Sequence, residues 1–174
     1  LKEILKFIFR FVKKRFLLQL YDFLFIKDKN YMQESIVVSA SFKASKQVVW
    51  NAITNANEMQ QWFFASIQSF KAEVGFQTQF LITNEDRNFT HIWTVDEVIP
   101  IQKICYNWRY AEYEGDSEVV FEISDNGTET RLTVTHTTLK LFTAEIPEFK
   151  RESGVQGWNY LIKESLFNYL NQKS

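Results

Sequence analysis

Hydrophobic and polar positions along the chain change period several times, and each change predicts an element. Residues 34–43, ESIVVSASFK, alternate and are rich in Ile, Val and Ser, which predicts a strand. Ser45 stands just before KQVVWNAI, where its hydroxyl can accept from a free N–H in the first turn of a helix. Val48, Val49, Ala52 and Ile53 supply the helical spacing. Asn55-Ala-Asn57 interrupts it, and Glu58 to Phe63 predicts a second short helical turn. From Gly75 onward the period becomes two. Phe76, Thr78, Phe80 and Ile82 share one face of a strand, as do His91, Trp93 and Val95, and then Ile104, Tyr106, Trp108 and Tyr110. Val119, Phe121 and Ile123, and finally Leu132, Val134 and His136, repeat the pattern. Turn signals at Asn84-Glu85-Asp86, Pro100, Gly115-Asp116 and Asp125-Asn126-Gly127 separate these runs. Successive strands with short links predict an antiparallel meander, apolar and aromatic on one face and Thr, Glu, Lys and Arg on the other.

Residues 148–172 return to helical spacing, with Trp158, Leu161, Ile162, Ser165, Tyr169 and Leu170 in one stripe. This is the long helix left to cover the aromatic face. The expectation is an α+β domain over residues 32–174, in which a curved sheet and a long C-terminal helix enclose an apolar cavity.

Residues 1–31 read differently. Lys2, Lys6, Arg10, Lys13 and Lys14 fall on one side of a helical wheel; Leu1, Ile4, Leu5, Ile8, Phe11, Val12 and Phe16 fall on the other. This basic amphipathic pattern suits a membrane interface or a partner surface. Charges interrupt every apolar run well short of the ~18 residues a membrane span requires. The chain begins at Leu1, and Met32 immediately precedes the first strand. The segment therefore has two readings, a leader outside the working fold or a true amphipathic helix, and membrane contact is expected only through it.

Composition narrows the chemistry. Residues 1–31 carry a net charge of +5 and residues 32–174 a net of −6, so the body is not expected to bind nucleic acid. A single cysteine, Cys105, forms no internal disulfide and fits a reducing, cytoplasmic setting. It alternates onto the polar face, where no role is expected for it. His91 and His136 are the two histidines, and neither has a neighbour at metal-ligand spacing, so no metal or other cofactor is expected. Aromatic residues reach 17%, with Phe at 17 copies, enough to line a cavity or fill a large core.

Several motifs carry a family resemblance. SASFKASKQVVWNAITNANEMQQWF, with Val49-Trp50 and Trp62, resembles the opening of the START-like, helix-grip superfamily, in the branch similar to the C-terminal domain of the activator of heat-shock protein 90 ATPase. Glu97, Val98, Pro100, Ile104, Tyr106 and Trp108 resemble that branch's Glu-Val-x-Pro motif and following strand. Thr130, Leu132, His136, Gly157 and Trp158 resemble its late strand and closing Gly-Trp helix. Thr137-Thr138 depart from the small residue and Gly usual after the strand His, which implies a differently shaped loop before the last helix. The resemblance covers about residues 34–172 and implies a helix-grip fold, while leaving function open.

Three functions are weighed. The first is binding, as carrier or sensor, of a small hydrophobic ligand such as a lipid, sterol or aromatic metabolite. Its contacts would be Phe76, Thr78, Phe80, His91, Trp93, Tyr106, Trp108, Tyr110, Phe121, His136, Trp158 and Ile162, with His91, His136, Thr78 and Tyr110 orienting a polar end. The second is a cyclase or hydrolase using His136 with Glu97 or Tyr106 as an acid–base pair. No catalytic spacing supports it, and a non-catalytic role is the stronger expectation. The third is a cochaperone-like interaction module. In the resembling family chaperone stimulation also needs a separate N-terminal domain, for which residues 1–31 are too few. The Phe-rich first segment would favour self-association, which makes a homodimer a candidate state.

Overall fold

The computed structural model describes residues 34–173, and the alternating stretch IVVSASF forms strand β1 (Ile36–Phe42). The basic amphipathic segment 1–31 lies outside the described residues. Helix α1 (Lys46–Thr54) starts where expected, with Ser45 extended and its Oγ accepting from the Val48 N–H at 3.3 Å. Asn55 both ends α1 and starts α2 (Ala56–Trp62). Its N–H donates to Asn51 O at 2.8 Å, and its Oδ1 accepts from the N–H groups of Asn57 and Glu58 at 3.0 and 3.3 Å. One side chain satisfies donors that the first turn of α2 would otherwise leave free, so α2 begins two residues before Glu58.

The remaining strands are β2 (Gln77–Asn84), β3 (Arg87–Ile99), β4 (Lys103–Tyr110), β5 (Asp116–Asn126) and β6 (Glu129–Lys140). They form one six-stranded antiparallel sheet in the order β1-β6-β5-β4-β3-β2. β2 to β6 make the expected meander, and β1 closes against β6 with Ile36 opposite His136. Gly127, at φ +68°, takes the left-handed conformation of the β5–β6 turn, which a residue without Cβ adopts at little cost. β3 slips register against β4 between Val95 and Glu97, a bulge that bends the sheet.

The closing helix runs as α3 (Arg151–Tyr160), a π turn (Leu161–Ser165) and α4 (Leu166–Asn171), after a 3-10 turn at Pro147–Phe149. Trp158, Ile162, Leu166 and Leu170 are its buried residues, spaced by four. In a regular α-helix a spacing of four drifts by about 40° per step. The slower-winding π turn pulls that drift back, so the four side chains stay aligned over the sheet. The expected stripe is corrected accordingly. Leu166, absent from it, is fully buried, while Leu161, Ser165 and Tyr169 are half-buried flanks. Gly154 lets the helix approach β1, since a Cβ there would stand 2.8 Å from Ile36 Cδ1. The whole is the α+β helix-grip arrangement, its core lying between the sheet's concave face and the helices.

Cys105 does lie on the outer face, but it is buried there, not solvated, and burial pushes its thiol up to about 12.

Candidate ligand-binding site

Strand register gathers most of the sequence-predicted rings. Phe80 lies opposite His91, His91 opposite Tyr110, and Trp93 between Thr78 and Trp108. Trp93 stacks on Tyr106 with ring centroids 4.8 Å apart and meets Trp108 at 4.8 Å. His91 stacks on Phe80 at 4.8 Å and meets Tyr110 at 4.9 Å and Trp108 at 5.1 Å. From the helix, Trp158 reaches Phe121 at 5.8 Å and Trp108 at 6.0 Å. His136 stacks on Trp108 at 5.9 Å. Thr78 and Ile162 are buried. Phe76 stands just before β2, and its ring packs on Phe70 at 6.2 Å.

Two rings that sequence reasoning left out occupy the middle. Phe63, the residue that ends α2, lies 5.5 Å from Trp93, 6.2 Å from Trp108, 6.3 Å from Phe121 and 5.8 Å from Trp158. It thus touches both the sheet wall and the helix wall. Phe64 stacks on Phe63 at 4.5 Å and meets His91 at 5.1 Å. Three hydrogen bonds hold the segment. Trp62 Nε1 donates to Ala52 O at 2.8 Å, Ser165 Oγ to Trp62 O at 2.6 Å, and Gln60 Nε2 to Ile67 O at 2.5 Å. The space under the helix is therefore not open at its centre, as the pattern of the strands suggested; Phe63 stands in it. The available signal was Trp62-Phe63-Phe64, three consecutive rings that no single helix face can bury together.

Trp93, Tyr106 and Phe121 are sealed, whereas Phe64, Tyr110 and His136 are half-buried. Two surface hollows lie elsewhere. One of about 440 Å³ is bounded by Lys43–Lys46 and the β5–β6 turn, and one of about 370 Å³ includes Lys103, Glu122 and Thr133.

The polar atoms among the rings are unusual. His91 Nδ1, Trp93 Nε1, Tyr106 Oη, Trp108 Nε1 and His136 Nε2 are buried and have no hydrogen-bond partner among the described residues. Each such atom typically costs about 1–3 kcal/mol when left unpaired. Burial pushes the Tyr110 hydroxyl well above its ordinary value, against a smaller opposing effect of the neighbouring Trp108 side chain. His136 Nδ1 accepts a hydrogen bond from Trp158 Nε1 at 3.0 Å. Burial lowers His136 to about 4 and His91 to about 3, the latter despite the opposing pull of the Glu112 carboxylate. Both are neutral at pH 7. The acid–base pairs considered from the sequence are not formed. Glu97 pairs with Lys103 at 2.6 Å, and Tyr106 Oη and His136 Nε2 are each unpartnered. Among the described residues no group of three or more His, Cys, Asp or Glu could hold a metal ion, and no helix is long and apolar enough to cross a membrane.

Comparison with known proteins gives one family. Residues 43–171 match the family model described as Activator of Hsp90 ATPase homolog 1-like protein. No curated protein matches the chain. Several solved structures share the fold. A protein from Mesorhizobium loti is 21% identical with a TM-score of 0.65, over 81% of this chain and 99% of its own. The Aha1 dimer from Colwellia psychrerythraea is 18% identical with a TM-score of 0.60, over 79% of this chain and 96% of its own. DynU16, from the dynemicin biosynthetic locus, is 20% identical with a TM-score of 0.64 over 82% of this chain; the match spans 49% of DynU16.

Proposed function

Because the chain belongs to the Activator of Hsp90 ATPase homolog 1-like protein family, whose model matches residues 43–171, we propose that its body binds a small hydrophobic ligand between the sheet and the closing helix. The role is that of a carrier or sensor, without chemistry on the ligand. The observation that carries this reading is the set of buried, unpartnered polar atoms on rings that otherwise form an apolar wall, His91 Nδ1 and His136 Nε2 above all. Apolar walls with a few convergent polar groups are how proteins hold oriented hydrophobic ligands. Entry lies on the half-buried side formed by Phe64, Tyr110 and His136, and a ligand that goes deeper displaces the Phe63 ring.

Trp93, Trp108 and Trp158 report on the site directly. Titration of intrinsic fluorescence with fatty acids, sterols and flavonoids is expected to give a saturable change for at least one class. Flat titrations across all of them would remove the reading. The cytoplasm, suggested by the single cysteine, goes with this role. For residues 1–31 the basic amphipathic pattern supports contact with an anionic membrane surface; deletion of the segment should abolish cosedimentation with anionic vesicles. The similar Colwellia protein is a dimer, which supports self-association here as well, and light scattering would measure it.

A further inference from the structure

We infer that the occupant of this site is an uncharged, ring-bearing molecule that presents a carbonyl-type acceptor to the Nε2–H of His136. The inference rests on the binding role proposed above and specifies its ligand class.

The donor follows from one hydrogen bond. An indole N–H can only donate, so the contact from Trp158 Nε1 to His136 Nδ1 makes Nδ1 the acceptor. A neutral imidazole has one acceptor and one donor nitrogen, so the proton sits on Nε2. That N–H is buried with no partner among the described residues. Trp158 thus positions His136 as a fixed donor. An acceptor delivered by a ligand would satisfy it, whereas a purely hydrocarbon ligand would leave it unpaired.

The flat wall follows from ring geometry. Trp108 and His136 lie within 15° of parallel at 5.9 Å and form the flat part, while Trp93 and His91 meet Trp108 tilted by 54° and 52° and bound it. Planar rings offer this wall more contact than a flexible chain does.

The absence of charge follows from what the core contains. Among the described residues the buried polar ones are Thr78, His91, Ser117 and Thr130, with no lysine or arginine among them. The carboxylate that acts on His91 is Glu112, and it is already engaged: Thr90 N donates to its Oε2 at 2.8 Å and Thr90 Oγ1 to its Oε1 at 2.5 Å. A carboxylate ligand would lose its water and find no buried lysine or arginine among the described residues, and beside His91 it would also feel repulsion from Glu112. Burying an unpaired carboxylate is far more costly than burying a carbonyl that gains a hydrogen bond.

A matched series of tricycles tests this on the full chain: fluorene, 9-fluorenone and 9-fluorenone-2-carboxylate, with stearate alongside, titrated by tryptophan fluorescence and calorimetry. The expected result is fluorenone tighter than fluorene by about tenfold, the worth of satisfying one buried donor. Both carboxylates should be weaker than fluorenone. His136→Phe should bring the fluorenone-to-fluorene ratio to about one, and His136→Gln, which keeps an N–H, should retain part of it. Long-range ¹H–¹⁵N spectra of the unaltered, ligand-free protein should show His136 protonated at Nε2, a readout that does not depend on any variant folding. Equal binding of fluorene and fluorenone, tightest binding of a carboxylate, or a proton on Nδ1 would each overturn the inference while leaving the binding role standing. If none of these probes binds, fluorene included, the inference falls; the binding role falls with it only if sterols and flavonoids also give flat titrations.

Discussion

Replacing Phe63 by Ala puts the central packing claim at risk in a measurable way. The ring is buried and lies within 6.3 Å, centroid to centroid, of Trp93, Trp108, Phe121 and Trp158, so its removal opens a void bounded by both the sheet and the helix. Those walls are large rings already packed on one another, and the sheet beneath them is hydrogen-bonded on both sides, so collapse into the void is limited. Phe→Ala changes at such sites cost about 3–5 kcal/mol. Each kcal/mol shifts the melting temperature by about 2–4 °C in a chain of this size, so a loss of about 6–20 °C is expected. An apolar void of this kind stays dry and takes up small aromatics. Benzene or indole should therefore restore part of the lost stability, by about 2.7 kcal/mol at a concentration one hundred times the Kd. Thermal and urea denaturation of wild type and F63A, each with and without indole, is the assay. A loss below about 1 kcal/mol would show that the ring fills no space, since a buried Phe cannot be removed so cheaply. An equal indole response in wild type would show that an open void already exists beside it. Either result refutes the placement of Phe63 as the occupant of the grip.

Three further outcomes follow from other parts of the structure. Folding depresses His91 to about 3 and His136 to about 4, below their unfolded value of 6.5, so between about pH 4 and 6.5 the unfolded chain binds more protons than the folded one. Stability is then full above pH 6.5 and falls as pH drops through that window, by about 1.4 kcal/mol per pH unit for each histidine; urea midpoints that do not change from pH 7 to 4.5 would contradict the burial of both rings. Asn55→Ala should cost about 1 kcal/mol, since one side chain caps two N–H groups of α2, whereas Ser45→Ala, with a single 3.3 Å contact, should cost less; chemical denaturation ranks the two. Cys105, buried and with its thiol pushed up to about 12, should resist a thiol-specific reagent at pH 8 in the native protein and react at once in denaturant.

What could be read from residues alone was local. The Ser45 cap, the Asn55 break, the turn at Gly127 and the period-two faces that carry Phe80, His91, Trp93, Tyr106, Trp108, Phe121 and His136 each depend on neighbours a few positions away, and each is where the pattern placed it. Alternation along a strand decides which side chains share a face, and the short links decide which strands adjoin. The rest required the chain to be folded. Phe63 enters the grip because α2 ends beside Ala52 and Ser165, contacts that no spacing in the sequence encodes. Leu166 replaces Leu161 in the buried stripe because one turn of the helix winds more slowly than an α-helix. Cys105 alternates outward yet is buried, so alternation assigned its face and not its exposure. The proton of His136 is assigned by Trp158, a residue 22 positions away that reaches it across the gap between sheet and helix. Periodicity determines which way a side chain faces; only the assembled layers determine what it meets there, because those contacts join residues that are distant in sequence and close in space.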